Sequence, residues 1–224
     1  MEISARDADL LRQGPWFGHL PARLQDLIFD RSVERSYGKG EAILREGEPG
    51  KGMGAVLDGR VHLLRRAGDA NEVLLDVGDT GFWFGHYGTL SGGAPSIGSI
   101  VAITPVRTLF LPVAAFERIV GAEPRFYRMF ADILLDRHAH MFRYLAEAQG
   151  LPPEERLRTR LLDLAHVRRA SESRHRSGAV SIPVSQAELA TMVGVSRQTL
   201  SALLARLESR GLIEVGFRTV RVLA

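Results

Sequence analysis

Hydrophobic and polar positions follow different periods in successive stretches of the chain. From Arg31 to about Pro112 the apolar runs are short, and glycines separate them. The runs are Ala42 to Leu44, Ala55 to Leu57, Val61 to Leu64, Val73 to Leu75, Ile100 to Ile103 and Val106 to Leu111. Gly38, Gly47, Gly59, Gly68, Gly78 and Gly88 are among the breaks. Short strands between regular turn signals predict a compact antiparallel sandwich or barrel. Residues 1–30 read as short helices around a loop, punctuated by Gly14-Pro15 and Leu20-Pro21.

From about Ala114 to Gln149 the chain reads as helix, with Pro124 at a first-turn position. Phe126, Phe130, Ile133, Leu134, Met141, Tyr144, Leu145 and Ala148 recur at spacings of three and four. Between Phe126 and Gln149 the helix would be about 35 Å long, more than one globular domain commonly needs. Either its stripe pairs with a twin in a coiled-coil homodimer, or it packs wholly on the sandwich. Arg137 and His138 interrupt the stripe, so the coil would be imperfect. Gly150-Leu151-Pro152-Pro153 ends the helix, because proline removes an N–H and crowds the preceding turn. Another helix is expected from Glu154 to about Arg169, then a polar loop from Ala170 to Gly178.

The next stretch carries a motif. In Ser185-Gln186-Ala187-Glu188 the serine hydroxyl can accept from the glutamate N–H, while the carboxylate reaches back to the serine N–H. A helix over Gln186 to Met192 is broken by Val193-Gly194-Val195. Ser196 caps a second helix running to about Arg210, with Leu200, Leu203, Leu204 and Leu207 as its apolar face and Gly211 as its stop. Ile213 to Val215, Gly216, then Arg218 to Val222 read as a hairpin. Two helices joined by a tight glycine turn, with a hairpin directly after, predict a winged helix-turn-helix. Its second helix would enter the major groove of double-stranded DNA by its N-terminal turn.

Arg197, Gln198 and Ser201 are the candidate base readers on the face away from the leucines. Arginine can donate twice to guanine, and glutamine can pair with adenine. Ser185, Ser196 and Thr199 sit at helix starts, where hydroxyl and N–H groups suit phosphates. Arg206, Arg210, Arg218 and Arg221 read as general phosphate attraction or plain surface.

Charge supports this placement more than it establishes it. The whole chain is only +3, but residues 151–224 hold twelve arginines and no lysine against seven acidic residues. The preceding 150 residues are slightly acidic, with 17 basic and 19 acidic side chains. A basic C-terminal third suggests an anionic partner there.

The 224 residues contain no cysteine, which excludes disulfides, cysteine-ligated zinc and cysteine-ligated iron–sulfur clusters. No apolar run approaches the roughly 18 residues of a membrane span. Met1 to Leu11 lacks the basic start and apolar run of a signal peptide, so a cytoplasmic location is expected. No catalytic constellation is recognisable. The chain shows no Ser-His-Asp set, phosphate loop or metal-ligand cluster, and Asp76 and Asp79 read as strand-end and turn residues.

Two segments carry a resemblance. SQAELATMVGVSRQTLSALLARLESRGLI and YGKGEAILREGEPGKGMGAVLDGRVHLL, the latter followed by GDTGFWFG, resemble the helix-turn-helix and the cyclic-nucleotide-binding β-roll of the Crp/Fnr regulators. The resemblance extends from about Gly14 to Val222. It implies an α+β fold in three parts: a β-roll sensor domain with N-terminal helices over 1–113, a dimerisation helix over 114–150 and a winged helix-turn-helix over 151–224. It implies a homodimer paired through helix 126–149, a near-palindromic site with half-sites about 34 Å apart, and contact with RNA polymerase.

The ligand pocket departs from the family pattern. In the cyclic-AMP-responsive branch a glutamate follows the Phe-Gly of the pocket segment and binds ribose. An Arg-Ser pair binds the cyclic phosphate, and a Thr-Ser pair on the dimer helix contacts the purine. Here Phe84-Gly85 is followed by His86, Ser96-Ile97 stands at the Arg-Ser position, and Met141-Phe142 aligns with Thr-Ser. No arginine lies between Arg66 and Arg107. A buried phosphate without a cation is costly, so the expected pocket residues Gly85, His86, Ser96, Ile97, Met141 and Phe142 argue against cyclic AMP.

No cofactor or metal is predicted. Haem stays open as an alternative, with His62, His86, His138 and His140 as candidate ligands. Phe82, Trp83, Phe84 and Tyr87 can instead fill the pocket, leaving no effector; a small apolar or anionic effector stays equally open. The DNA-reading helix departs too: the commonest Arg-Glu start with a later arginine is here Arg197, Gln198 and Ala202. The guanine contact should survive while the neighbouring readout changes. A β-roll module acting through protein contacts is the competing reading, and it needs no capped helix-turn-helix with a wing.

Overall fold

A computed structural model describes residues 3–68, 71–171 and 178–223. The chain divides into two compact units, Met1–His138 and Ala139–Ala224.

The first unit begins with helices α1 (Ala5–Arg12) and α2 (Ala22–Arg31), joined through a short 3₁₀ turn at Phe17–His19. Eight strands follow: β1 (Val33–Tyr37), β2 (Ala42–Leu44), β3 (Gly52–Asp58), β4 (Val61–Ala67), β5 (Asn71–Gly78), β6 (Trp83–Phe84), β7 (Ser99–Ala102) and β8 (Val106–Pro112). They form two antiparallel four-stranded sheets, ordered β1-β8-β3-β6 and β2-β7-β4-β5. Val56, Phe84 and Phe110 of one sheet meet Val61, Ile100 and Ala102 of the other. The opposite face of the first sheet is also covered. Met53, Ala55, Leu57, Leu109 and Leu111 pack with Leu11, Leu24, Ile28, Phe116 and Phe130. Strand β3 is therefore buried on both faces along six of its seven residues, so alternation is lost there.

Strand β1 and a short helix α3 (His86–Leu90), between β6 and β7, were not legible in the pattern. Helix α3 starts at Gly85, whose φ of 77° is left-handed. A Cβ at that position would lie 2.4 Å from the Gly52 carbonyl oxygen, so glycine lets two backbones approach beside the cavity described below.

The helix expected over 114–150 is two helices, α4 (Val113–Ala122) and α5 (Phe126–Gly150). Pro124 explains the break. It disfavours the helical conformation for the residue before it, and Glu123 leaves the helix with φ −136° and ψ 87°.

The stripe read on α5 also divides. Phe126, Phe130 and Ile133 are buried in the first unit's core. Leu135, Met141, Phe142 and Leu145 are 54–66% exposed. At about 100° per residue Leu135, Phe142 and Leu145 turn away from the buried three, while Met141 continues the buried side past its last buried turn. The reading that the stripe packs wholly on the sandwich does not hold.

The second unit contains the end of α5, then α6 (Pro153–Ser171), β9 (Val180–Ile182), α7 (Gln186–Val193), α8 (Arg197–Ser209), β10 (Ile213–Gly216) and β11 (Thr219–Val222). Pro153 opens α6, where its missing N–H needs no partner. The polar loop expected over 170–178 falls largely outside the described residues. The wing is a three-stranded sheet, β10-β11-β9, with one strand more than the predicted hairpin. Leu157, Leu161, Leu189, Leu200, Leu203, Leu204 and Leu207 make its core with Ile182, Val220 and Val222.

Candidate nucleic-acid interface and cavity

The helix-turn-helix is built by local hydrogen bonds. Glu188 N–H donates to Ser185 Oγ at 3.2 Å, and Ser185 N–H donates to Glu188 Oε2 at 2.6 Å, which completes the capping box. Gly194 ends α7 at φ 71°, and its N–H donates to the Ala190 and Thr191 carbonyls. Only glycine takes this conformation without a steric cost, so the turn between the helices is short. Ser196 then caps α8, accepting from Thr199 N–H at 3.0 Å. Its Oγ also lies 2.8 Å from Thr199 Oγ1.

The four leucines of α8 are buried, while Arg197, Gln198, Ser201 and Ala202 are exposed. Gln198 and Ser201 leave the side away from the leucines; Arg197 leaves the first turn nearer its edge. Ser185 and the Ser196–Thr199 pair occupy the first turns of α7 and α8. A capping hydroxyl that accepts an N–H keeps its own proton for a phosphate oxygen.

The basic residues sort into two groups. Arg206 and Arg210 both pair with Glu154, at 3.5 and 2.5 Å, and Arg221 pairs with Glu214 at 3.0 Å. Arg218 instead sits at the hairpin tip, between the paired residues Gly216 and Thr219. It holds φ 52°, and its neighbour Phe217 is 93% exposed.

The first unit contains a cavity of about 90 Å³. Gly85, His86, Ser96 and Ile97 line it. Met141 and Phe142 do not; both belong to the second unit and are exposed. The reason is position along α5 and not helical phase. The helix residue lining the cavity is Arg137, on the same face as Met141 but one turn before it.

Arg137 supplies the cation that residues 67–106 lack. It pairs with Asp76 Oδ2 at 3.2 Å and donates to the Trp83 carbonyl at 3.3 Å. Its guanidinium lies 4.6 Å from the Phe82 ring centre. Asp76, read above as a strand-end residue, lies within β5 and holds this cation.

His86 is held neutral. Burial, and then the Arg137 charge, lower its pKa to about 4. Its Nδ1 is buried without a hydrogen-bond partner. Ser96 is already engaged, with its hydroxyl on the Gly98 carbonyl at 2.7 Å and its N–H on the Glu48 carbonyl at 2.8 Å. Of the four histidines considered for haem, only His86 lines the cavity. Among the described residues no group of three or more His, Asp or Glu side chains could hold a metal ion. No helix among them is long and apolar enough to cross a membrane.

Two family models match this arrangement: a cyclic nucleotide-binding domain over residues 34–123 and a Crp-like helix-turn-helix domain over 155–224. The chain belongs to the Crp/Fnr family of transcription regulators. A CRP-like cAMP-activated global transcriptional regulator of Mycobacterium tuberculosis (strain CDC 1551 / Oshkosh) is 27% identical over 218 residues, covering 96% of this chain and 95% of the relative. FixK2 from Bradyrhizobium japonicum superposes with TM-score 0.73 at 23% identity, covering 86% of this chain and 92% of its own. The c-di-GMP responsive regulator CLP of Xanthomonas campestris superposes with TM-score 0.71 at 21% identity, covering 91% and 100%. These two structures share the fold. The family carries DNA binding and transcription regulation as the coarse function of the chain.

Proposed function

We propose that this Crp/Fnr regulator acts as a non-enzymatic homodimer on a near-palindromic DNA site without using cyclic AMP. Residues 1–113 serve as the sensor, 114–150 as the dimer helix and 151–224 as the DNA-binding part. Arg197, Gln198 and Ser201 read bases. Ser185, Ser196 and Thr199 hold phosphates, with Arg218 at the wing tip. The observation that carries this reading is the exposed first turn of α8, held by the Ser196 cap and the Gly194 turn.

Dimerisation rests on the exposed apolar side of α5, where Leu135, Phe142 and Leu145 recur at spacings of seven and three. Two parallel copies would place two reading helices on successive turns of one groove, about 34 Å apart. RNA polymerase is the expected protein partner by family, and the cytoplasm the expected location.

The Mycobacterium relative is described as cAMP-activated. Here His86 replaces the ribose-binding glutamate, Ser96 is engaged internally, and the cavity is about 90 Å³. Ligand pockets usually exceed about 300 Å³.

A binding selection on the full-length protein, run with and without cyclic AMP, tests the reading. The expected result is one paired motif with guanine opposite Arg197, unchanged by the nucleotide. An unpaired motif, or a motif recovered only with cyclic AMP, would overturn it.

A further inference from the structure

We propose that the cavity of the first unit binds a short-chain carboxylate of about four or five carbons, with its charged end on Arg137 and its apolar body between the sheets. Three observations converge on that chemistry.

The first is the wall. Leu44, Leu63, Phe82, Trp83, Phe84 and Ile97 surround the space with apolar surface. Such a wall favours a hydrocarbon body over a sugar or a base edge.

The second is charge. Arg137 is the one charged side chain among the lining residues, and no carboxylate lines the space. Its guanidinium has five N–H donors in a flat fork. One terminal nitrogen serves Asp76 and the other serves the Trp83 carbonyl, so donors remain for a second carboxylate. His86 adds a neutral ring whose buried Nδ1 has no partner. With its proton there, it donates to an acceptor oxygen.

The third is size. A water molecule's share of the liquid is about 30 Å³, and an engineered apolar cavity of about 150 Å³ holds benzene. The space here, about 90 Å³, lies between these and suits a short aliphatic acid.

Asp76 makes the site a competition. It faces Arg137 at 3.2 Å and holds the same cation that the ligand needs. An entering carboxylate weakens the Arg137–Asp76 pair, which joins α5 to β5. Ligand chemistry would thus be read out on the helix that carries the exposed apolar side. This deepens the regulator reading by naming its effector. Binding is measured without DNA, so the two readings fail separately.

The full-length protein is titrated with butyrate and isovalerate, with butyramide and isovaleramide, and with cyclic AMP. Tryptophan emission reports binding, because Trp83 lines the cavity and Trp16 packs edge-on against it at 4.9 Å. Melting temperature is the second readout. Both acids should saturate the emission change and raise the melting temperature by several degrees at about 100 times Kd. The amides should bind at least tenfold more weakly. Arg137→Gln should lower acid affinity tenfold or more, with Arg137→Lys recovering part of it. Asp76→Asn should raise acid affinity severalfold, an outcome that a purely structural ion pair would not produce. Amides binding as well as acids, no saturable response to either acid, or a response to cyclic AMP alone would overturn the proposal. If Arg137→Gln does not fold, unchanged affinity in Asp76→Asn overturns it.

Discussion

The two units keep their family motifs in different ways. In the second unit the motif and the chemistry coincide: capping serines, the glycine turn and exposed Arg197 lie within a few residues of one another. In the first unit the glycine frame of the pocket segment is kept while its chemistry is replaced. His86 stands where the resemblance to the cyclic-AMP-responsive branch implies a glutamate, and the cation arrives from Arg137, on a helix that begins 36 residues after Leu90 ends α3. A site built from one local segment keeps its meaning when its residues are kept. A site assembled from distant elements can be rebuilt by a single residue from elsewhere.

Breaking the proposed dimer gives the largest expected effect. Leu145→Glu places a charge on each copy of the exposed side of α5. An unpaired buried charge costs about 3–5 kcal/mol, so the dimer should dissociate in sedimentation equilibrium and half-site cooperativity should be lost. A variant that remains dimeric at micromolar concentration would remove α5 as the interface.

Arg197→Ala sharpens the comparison within the second unit. Losing one bidentate base contact costs about 1–3 kcal/mol of discrimination per half-site. Competition binding should show relaxed preference at the guanine, with melting temperature unchanged.

His86 tests the first unit through pH. Its folded pKa, about 4, lies below the ordinary histidine value of 6.5. The unfolded chain therefore takes up the proton first as pH falls. Stability is greatest above about pH 6.5, declines toward pH 4 and loses nothing further from this group below that. The ceiling is about 3 kcal/mol, reduced by partial exposure and by Asp76 beside Arg137. Denaturation of wild type and His86→Asn at pH 7 and pH 5 should show wild type losing more. Parallel losses would mean that His86 is not held neutral by the fold.

Ser185→Ala is the smallest change. Removing the side-chain half of the capping box should cost about 1 kcal/mol and lower the melting temperature of the second unit by a few degrees. DNA affinity should fall slightly more than stability if the hydroxyl also meets a phosphate.

Much of the second unit was legible because its determinants are local. The Ser185–Glu188 spacing, Gly194 and the leucines of α8 act over three or four residues, the reach of helical hydrogen bonds and side-chain rows. Pro124 is legible in the same way as a first-turn residue, yet the segment from Ala114 to Gln149 reads as one helix where the fold has two. Strands β1 and β9 were missed because each is short and half-polar, and its identity comes from its partners, β8 and β11. The polar positions in Val33-Glu34-Arg35-Ser36-Tyr37 gave no apolar run to find.

Sequence alone determined the succession of a strand-rich region, a long helical region and a capped helix-turn-helix with its candidate base readers, and the departure of the pocket segment from the cyclic-AMP pattern. Tertiary structure decided which apolar positions of α5 are buried, because that depends on what packs beside each turn. It also decided that Arg206, Arg210 and Arg221 are paired while Arg218 stands at the wing tip. Above all it decided what the cavity contains. Arg137 and Asp76 lie 61 residues apart, and only the closing of β5 and β6 against α5 brings an arginine into a pocket whose own segment has none.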